Sequence, residues 1–190
     1  MERDWRALKR QETRRRLTVA AFELFDVHGY SSVTVGDIAA RADLSVPTFY
    51  AYFRTKEHVV LPDQDLDWVA DHLAAQPSGL PLPEKLRLGL ETMVAGLSPV
   101  EEQHLLRRWR YVLADPGLQL RGADREQRSA EVVVGTLGLD GTSAQGAADV
   151  VVVLACLRAA TAALLRWAAT DGRQPLTGLI DEAFAALRSM

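Results

Sequence analysis

The chain has 190 residues, 48% hydrophobic and 25% charged, with 13 Gly, 8 Pro and one cysteine. That composition excludes collagen-like, low-complexity and disulfide-scaffold proteins and leaves room for one or two compact domains. The net charge of −3 hides an asymmetry: residues 1–60 hold 10 Lys+Arg against 8 Asp+Glu, and the remainder 12 against 17. Cys156, set in VVVLACLRAA, reads as a small buried apolar residue in a reducing, cytoplasmic setting. No stretch is expected to span a membrane, because the apolar run Val150 to Leu157 ends at Arg158; the opening MERDWRALKR has no apolar signal core.

In chain order, Leu17, Ala20, Ala21, Leu24 and Phe25 recur at helical spacing, predicting a helix over 11–28 that stops at Gly29. Seven Lys+Arg among residues 1–16 precede or open it. Thr34 and Asp37 form a capping-box pair that starts a short helix ending near Ala42. After Asp43-Leu44-Ser45, Ser45 caps a second short helix from Val46 to Phe53, with Pro47 in its tolerated first turn. Two short helices joined by a three-residue turn make a helix-turn-helix, so residues 1–55 read as one domain.

Residues 56–190 read as a second, all-helical domain. A segment from Lys56 to about Ala75 is interrupted near Pro62, and helices follow over 83–97, 100–114, 117–138, 143–171 and 175–189. The β-branched runs at 132–134 and 150–153 lie inside Ala/Leu-rich helical patterns, so no strand is expected and the fold class is all-α.

On the second short helix, Phe49 and Phe53 share the face that packs inward. The opposite face presents Pro47, Thr48 and Ala51, flanked by Tyr50 and Tyr52. Little bulk toward bases with hydroxyls at both edges suits a helix in a major groove, and Thr34 and Lys56 stand at helix starts where phosphates would lie.

The stretch TVGDIAARADLSVPTFYAYFRTKE, preceded by AAFELFDVHGYSS, resembles the DNA-binding domain of the TetR family of transcriptional regulators over residues 10–60. The resemblance implies phosphate contacts by Thr34, Tyr50 and Lys56. It implies base or phosphate contacts by Val46, Pro47, Thr48 and Tyr52, with Arg41 and the cap Ser45 in the same surface. Asp43 stands where the family usually has glycine. The strip lacks Arg, Asn and Gln, so operator specificity is expected from thymine-methyl contacts, Thr48, DNA shape and arginines of the N-terminal arm.

The resemblance further implies a C-terminal domain that binds an effector and forms a homodimer. Its final helices would pair with their twins through Leu154, Leu157, Leu164, Trp167, Leu179, Phe184 and Leu187. Trp68, His72, Met93, Trp109 and Tyr111 are candidate pocket residues. The segments LRRWRYVLADPGLQLR and LLRWAATDGRQPLTGLIDEAFAALRS look like the C-terminal domain of mycofactocin-system regulators, which implies an acyl-CoA effector with Arg107, Arg108 or Arg110 near its phosphates. The implied activity is repression of a palindromic operator, relieved by that small apolar ligand.

An enzyme lacks its parts here. Asp63, Asp65 and Asp67 open like a calcium loop, but Trp68 and Ala74 occupy its required glycine and glutamate positions. The histidines have no paired-ligand spacing and no phosphate loop occurs, so neither a metal nor a cofactor is expected. The alternative is a ligand-sensing or protein-binding helical module whose helix-turn-helix is vestigial.

Overall fold

The computed structural model describes residues 2–62, 71–77 and 79–189, with the side chains of residues 2–4, 6 and 7 not described. The helices are α1 (Glu2–His28), α2 (Val35–Arg41), α3 (Val46–Tyr52), α4 (Glu57–Val60), α5 (Leu82–Ala95), α6 (Pro99–Ala114), α7 (Pro116–Thr136), α8 (Ala144–Ala169) and α9 (Leu176–Arg188), with a helical segment at 71–74. Among the described residues there is no strand.

The chain divides into two compact units, Met1–Pro62 and Asp63–Met190. The division falls later than the expected 55/56 boundary because α4 belongs to the first unit. Its Val59, Val60 and the following Leu61 are buried, and Tyr30 Oη donates to Glu57 at 3.0 Å.

In the first unit α1 begins well before the expected residue 11. Nothing between Glu2 and Gln11 breaks a helix, and the exposed Glu12–Arg15 pair at 2.8 Å supports its middle turns. The buried stripe is Leu17, Ala20, Ala21, Phe22 and Phe25; Leu24, expected among them, is only half-buried. Ile38 and Ala39 of α2 and Phe49 of α3 complete this small core, with Phe53 just beyond α3. At roughly 1.5–3 kcal/mol for each large side chain fully buried, these few residues hold most of the unit together.

In the second unit α8 is the central element, packed on α5, α6, α7 and α9. The core gathers Leu86 of α5, Val133 of α7, Val153, Cys156 and Trp167 of α8, and Leu176, Leu179, Ile180 and Phe184 of α9, with Leu73 against them. Cys156 is buried as expected, and removal from water pushes its thiol up to about 11.

The apolar run of α8 is longer than the sequence reading allowed, a property that the core helices of soluble proteins share. Its 26 residues, with a mean hydropathy of 2.0 over the best window, are long and apolar enough to cross a membrane by length and composition alone. The single Arg158 does not interrupt the apolar stretch sufficiently. Only 28% of that window is buried within the chain, and Val151 is 65% exposed.

Candidate functional site

The helix-turn-helix is built from caps. Thr34 Oγ1 accepts from Asp37 N at 3.1 Å, while Asp37 Oδ2 accepts from Thr34 N at 2.8 Å and Thr34 Oγ1 at 2.7 Å. These bonds from the Thr34 hydroxyl and amide hold the Asp37 carboxyl below the usual aspartate range. The turn passes through Asp43 at φ 53°, in the left-handed region. Asp43 N donates to Ala40 O at 3.0 Å and Leu44 N to Ala39 O at 2.9 Å, closing the end of α2 as a glycine would. Ser45 Oγ then accepts from Thr48 N at 3.2 Å and caps α3.

Phe49 is fully buried with its ring 5.5 Å from that of Phe53, which fixes the rotation of α3. Val46, Pro47, Tyr50 and Ala51 are exposed in consequence, with Thr48 and Tyr52 half-buried. Tyr50 stands edge-on to Phe49 at 5.6 Å and is 53% exposed, so its hydroxyl end faces outward while its ring is braced. The Thr48 hydroxyl lies 2.8 Å from Ser45 Oγ, so its oxygen shares in the cap. Arg41 pairs with Glu23 at 2.6 Å in an exposed bridge, which anchors α2 on α1 and engages the guanidinium.

Several contributions were missed from the sequence. Arg16 Nη2 donates to Ala42 O at 2.6 Å, and Arg14 Nη1 to Tyr52 O at 3.3 Å. The Arg14 guanidinium also lies 4.4 Å over the Phe53 ring, and Arg10 lies 5.6 Å from the Tyr52 ring. Arg14 and Arg16 thereby fasten the ends of α3 and α2 to α1. The i, i+4 spacing of Arg10 and Arg14 on α1 is the available signal; Arg16, two residues on, lies off that face.

Lys56 sits differently from its expectation. Its Nζ donates to Tyr30 O and Val33 O, each at 2.9 Å, lies 3.5 Å from Ser31 O, and stands 4.2 Å over the Tyr30 ring.

In the second unit one small cavity is lined by His72, Leu73, Leu86, Gly89, Leu90, Met93, Cys156 and Leu157. Its volume is about 10 Å³, room for about one water molecule. Two candidates from the sequence, His72 and Met93, meet there; Arg107, Trp109 and Tyr111 do not line it, and Trp68 lies outside the described residues. Trp109 is buried, since α6 turns that face inward. Among the described residues no three His, Cys, Asp or Glu come together as a metal site, and the Asp63–Trp68 stretch lies outside them.

The interface candidates divide. Trp167 and Phe184 are each 1% exposed, and Leu157 and Leu179 are also buried, so these four pack into the chain's own core. Their large side chains are consumed where α8 and α9 cross. Leu154, Leu164 and Leu187 pack against that core and remain only partly buried.

Residues 17–61 match the sequence model for bacterial regulatory proteins of the tetR family, and residues 80–190 that for the MftR C-terminal domain. The chain belongs to the TetR family. Its members are DNA-binding regulators and not enzymes, and the matched residues 17–61 contain the capped helix-turn-helix. Among solved structures, the fatty acid degradation regulator FadR of Bacillus halodurans matches with a TM-score of 0.60 at 20% identity, covering 92% of this chain and 94% of that one. FadR of Thermus thermophilus, a TetR-family repressor in complex with lauroyl-CoA, gives 0.55 at 23% identity over 92% and 93%. FadR of Bacillus subtilis in complex with stearoyl-CoA gives 0.54 at 17% identity over 90% and 96%. At these identities the likeness establishes the fold. A search of curated proteins finds no significant match.

Proposed function

We propose that this TetR-family regulator is a cytoplasmic repressor that binds a palindromic operator as a homodimer and is released by a long-chain acyl-CoA. The observation that carries the DNA reading is the outward strip of α3. Val46, Pro47 and Ala51 are exposed beside the outward Tyr50, on a helix whose rotation is fixed by the buried Phe49. Such a strip meets thymine methyls and base edges, while Tyr50 and Tyr52 offer hydroxyls to phosphates and the exposed Arg41 adds charge; Thr34, Ser45 and Thr48 shape the same surface through the caps of α2 and α3. A dimer would place two copies of α3 one DNA turn apart, about 34–36 Å.

The dimer reading is supported by α8, whose apolar surface the chain itself leaves largely open. A second copy of α8 and α9 would cover Val151 and the accessible parts of Leu154, Leu164 and Leu187.

The effector reading is supported by the apolar lining of the cavity beneath α5 and by the two neighbours described with acyl-CoA ligands. At about 10 Å³ the cavity is far below the ~300 Å³ at which ligand pockets begin. Binding must therefore separate α5 from Leu73, and that opening is the conformational change an effector can select. By linkage, the ligand can weaken DNA binding only as much as DNA weakens ligand binding.

The test is binding of the purified protein to the intergenic DNA upstream of its own gene and to a scrambled duplex, with and without lauroyl-CoA. Selective binding released by lauroyl-CoA supports the whole reading. Selective binding unchanged by it removes the acyl-CoA. Absence of selective binding, repeated in a genome-wide selection, removes the repressor.

A further inference from the structure

We infer that Lys56 is a positioning residue of the DNA-reading unit, acting through the α1–α2 loop and not by donating to a phosphate. This rests on the DNA-binding reading above and deepens it.

The ammonium of lysine has three N–H donors at the end of a flexible stem. At Lys56 it faces the carbonyls of Tyr30 and Val33 at 2.9 Å each and of Ser31 at 3.5 Å, and sits 4.2 Å from the Tyr30 ring. Donation outward would require giving up one of these bonds. The next residue grips the same loop from the other end, because Tyr30 Oη donates to Glu57 at 3.0 Å. Tyr30 is therefore held at its carbonyl, its ring and its hydroxyl by two consecutive residues at the start of α4.

That loop ends at Thr34, the cap of α2, whose hydroxyl and amide complete the capping box. Buried Val33, between the gripped loop and the cap, makes the connection stiff. Lys56 thus fixes where α2 starts, and through the close packing of α2 on α3 it fixes the angle at which the strip meets DNA. A cluster of three backbone carbonyls suits a compact ammonium and not the planar fork of arginine, so conservation of charge alone is insufficient.

The experiment uses the full chain and its three lysines, Lys9, Lys56 and Lys85. In the free protein, the Lys56 15Nζ–1H signal, assigned with K9R and K85R, should be protected from exchange where free lysine ammoniums are not seen. On the duplex selected by the protein, K56M and K56R should both lose about tenfold or more in affinity. The slope of log K against log salt should stay that of wild type. A phosphate contact would instead cost about one unit of slope per protomer in K56M and be rescued by K56R. That pattern overturns the inference, as does an unprotected Lys56 signal in the free protein. The resonance requires neither DNA nor a substitution at residue 56, so it is decisive even if K56M does not fold. If no duplex is selected at all, the DNA reading fails separately.

Discussion

Replacing Gly89 by alanine should weaken acyl-CoA binding while leaving operator binding in the absence of ligand intact. Gly89 lies on α5 where the helix passes Leu73, and a Cβ built there would stand 2.6 Å from Leu73 Cδ2. Ordinary carbon contacts are about 3.5–4.0 Å, so the Leu73 side chain must retreat by about 1 Å. Leu73 is 1% exposed and both residues line the same cavity of about 10 Å³, so it has little space to enter. Overpacking of this kind costs about 1–3 kcal/mol, partly offset by about 1 kcal/mol from alanine's better helix propensity. A ligand that must open the same space meets the added methyl directly. A penalty of about 1–3 kcal/mol on the bound state corresponds to about 5- to 150-fold in affinity. Isothermal titration with lauroyl-CoA, set beside operator binding without ligand, reads both effects. Unchanged or tighter lauroyl-CoA binding in G89A would show that the acyl chain does not enter between α5 and Leu73.

Three further outcomes follow from particular residues. Thr34→Ala removes the α2 cap and should lower amide protection across residues 35–41 about fivefold, for a typical cap loss of about 1 kcal/mol, with weaker DNA binding. Because Asp37 titrates below its unfolded value near 3.8, the capping bonds contribute fully above that pH and are lost as pH falls through the lowered value. Hydrogen exchange in wild type should show α2 loosening only in that acid range; loosening at pH 6 would contradict it. Cys156, raised to about 11 by burial, should resist alkylation at pH 8 in the folded protein and react once urea unfolds it. Val151→Glu places a charge on the exposed apolar face of α8 and should convert the proposed dimer to monomer in light scattering, without loss of helix by circular dichroism. Retention of the dimer would move the interface elsewhere.

The parts legible in the sequence are those written in local chemistry. Thr34 with Asp37, and Ser45 before Val46-Pro47, announce their caps by spacing alone, and the helices of the second unit end within two residues of expectation. Phe49 and Phe53 at i and i+4 fixed the inward face of α3 without any knowledge of its neighbours. What spacing does not reveal is how far a polar side chain travels to find a partner. Lys56 crosses to a loop more than twenty residues back, and Arg16 to the carbonyl of Ala42; both read as surface charge until the chain is folded. Trp167 and Phe184 show the same limit among apolar residues. A helical stripe says that a face is buried, and only the packing of α8 on α9 says that it is buried by its own chain. The cavity is harder still, since Gly89 contributes to it by lacking a side chain.

The bonds that Arg14 and Arg16 make end on main-chain oxygens, those of Tyr52 and Ala42. A carbonyl is present whatever residue bears it. The scaffold therefore holds its grip without consulting the identity of Val46, Pro47 or Ala51, which stand exposed on the far side. Those letters can be exchanged with little penalty to the frame, much as type is reset in a locked chase. If α3 reads DNA as proposed, a lineage, or an engineer, can redirect the protein to a new operator by rewriting those three surface codons while the mounting stays the same.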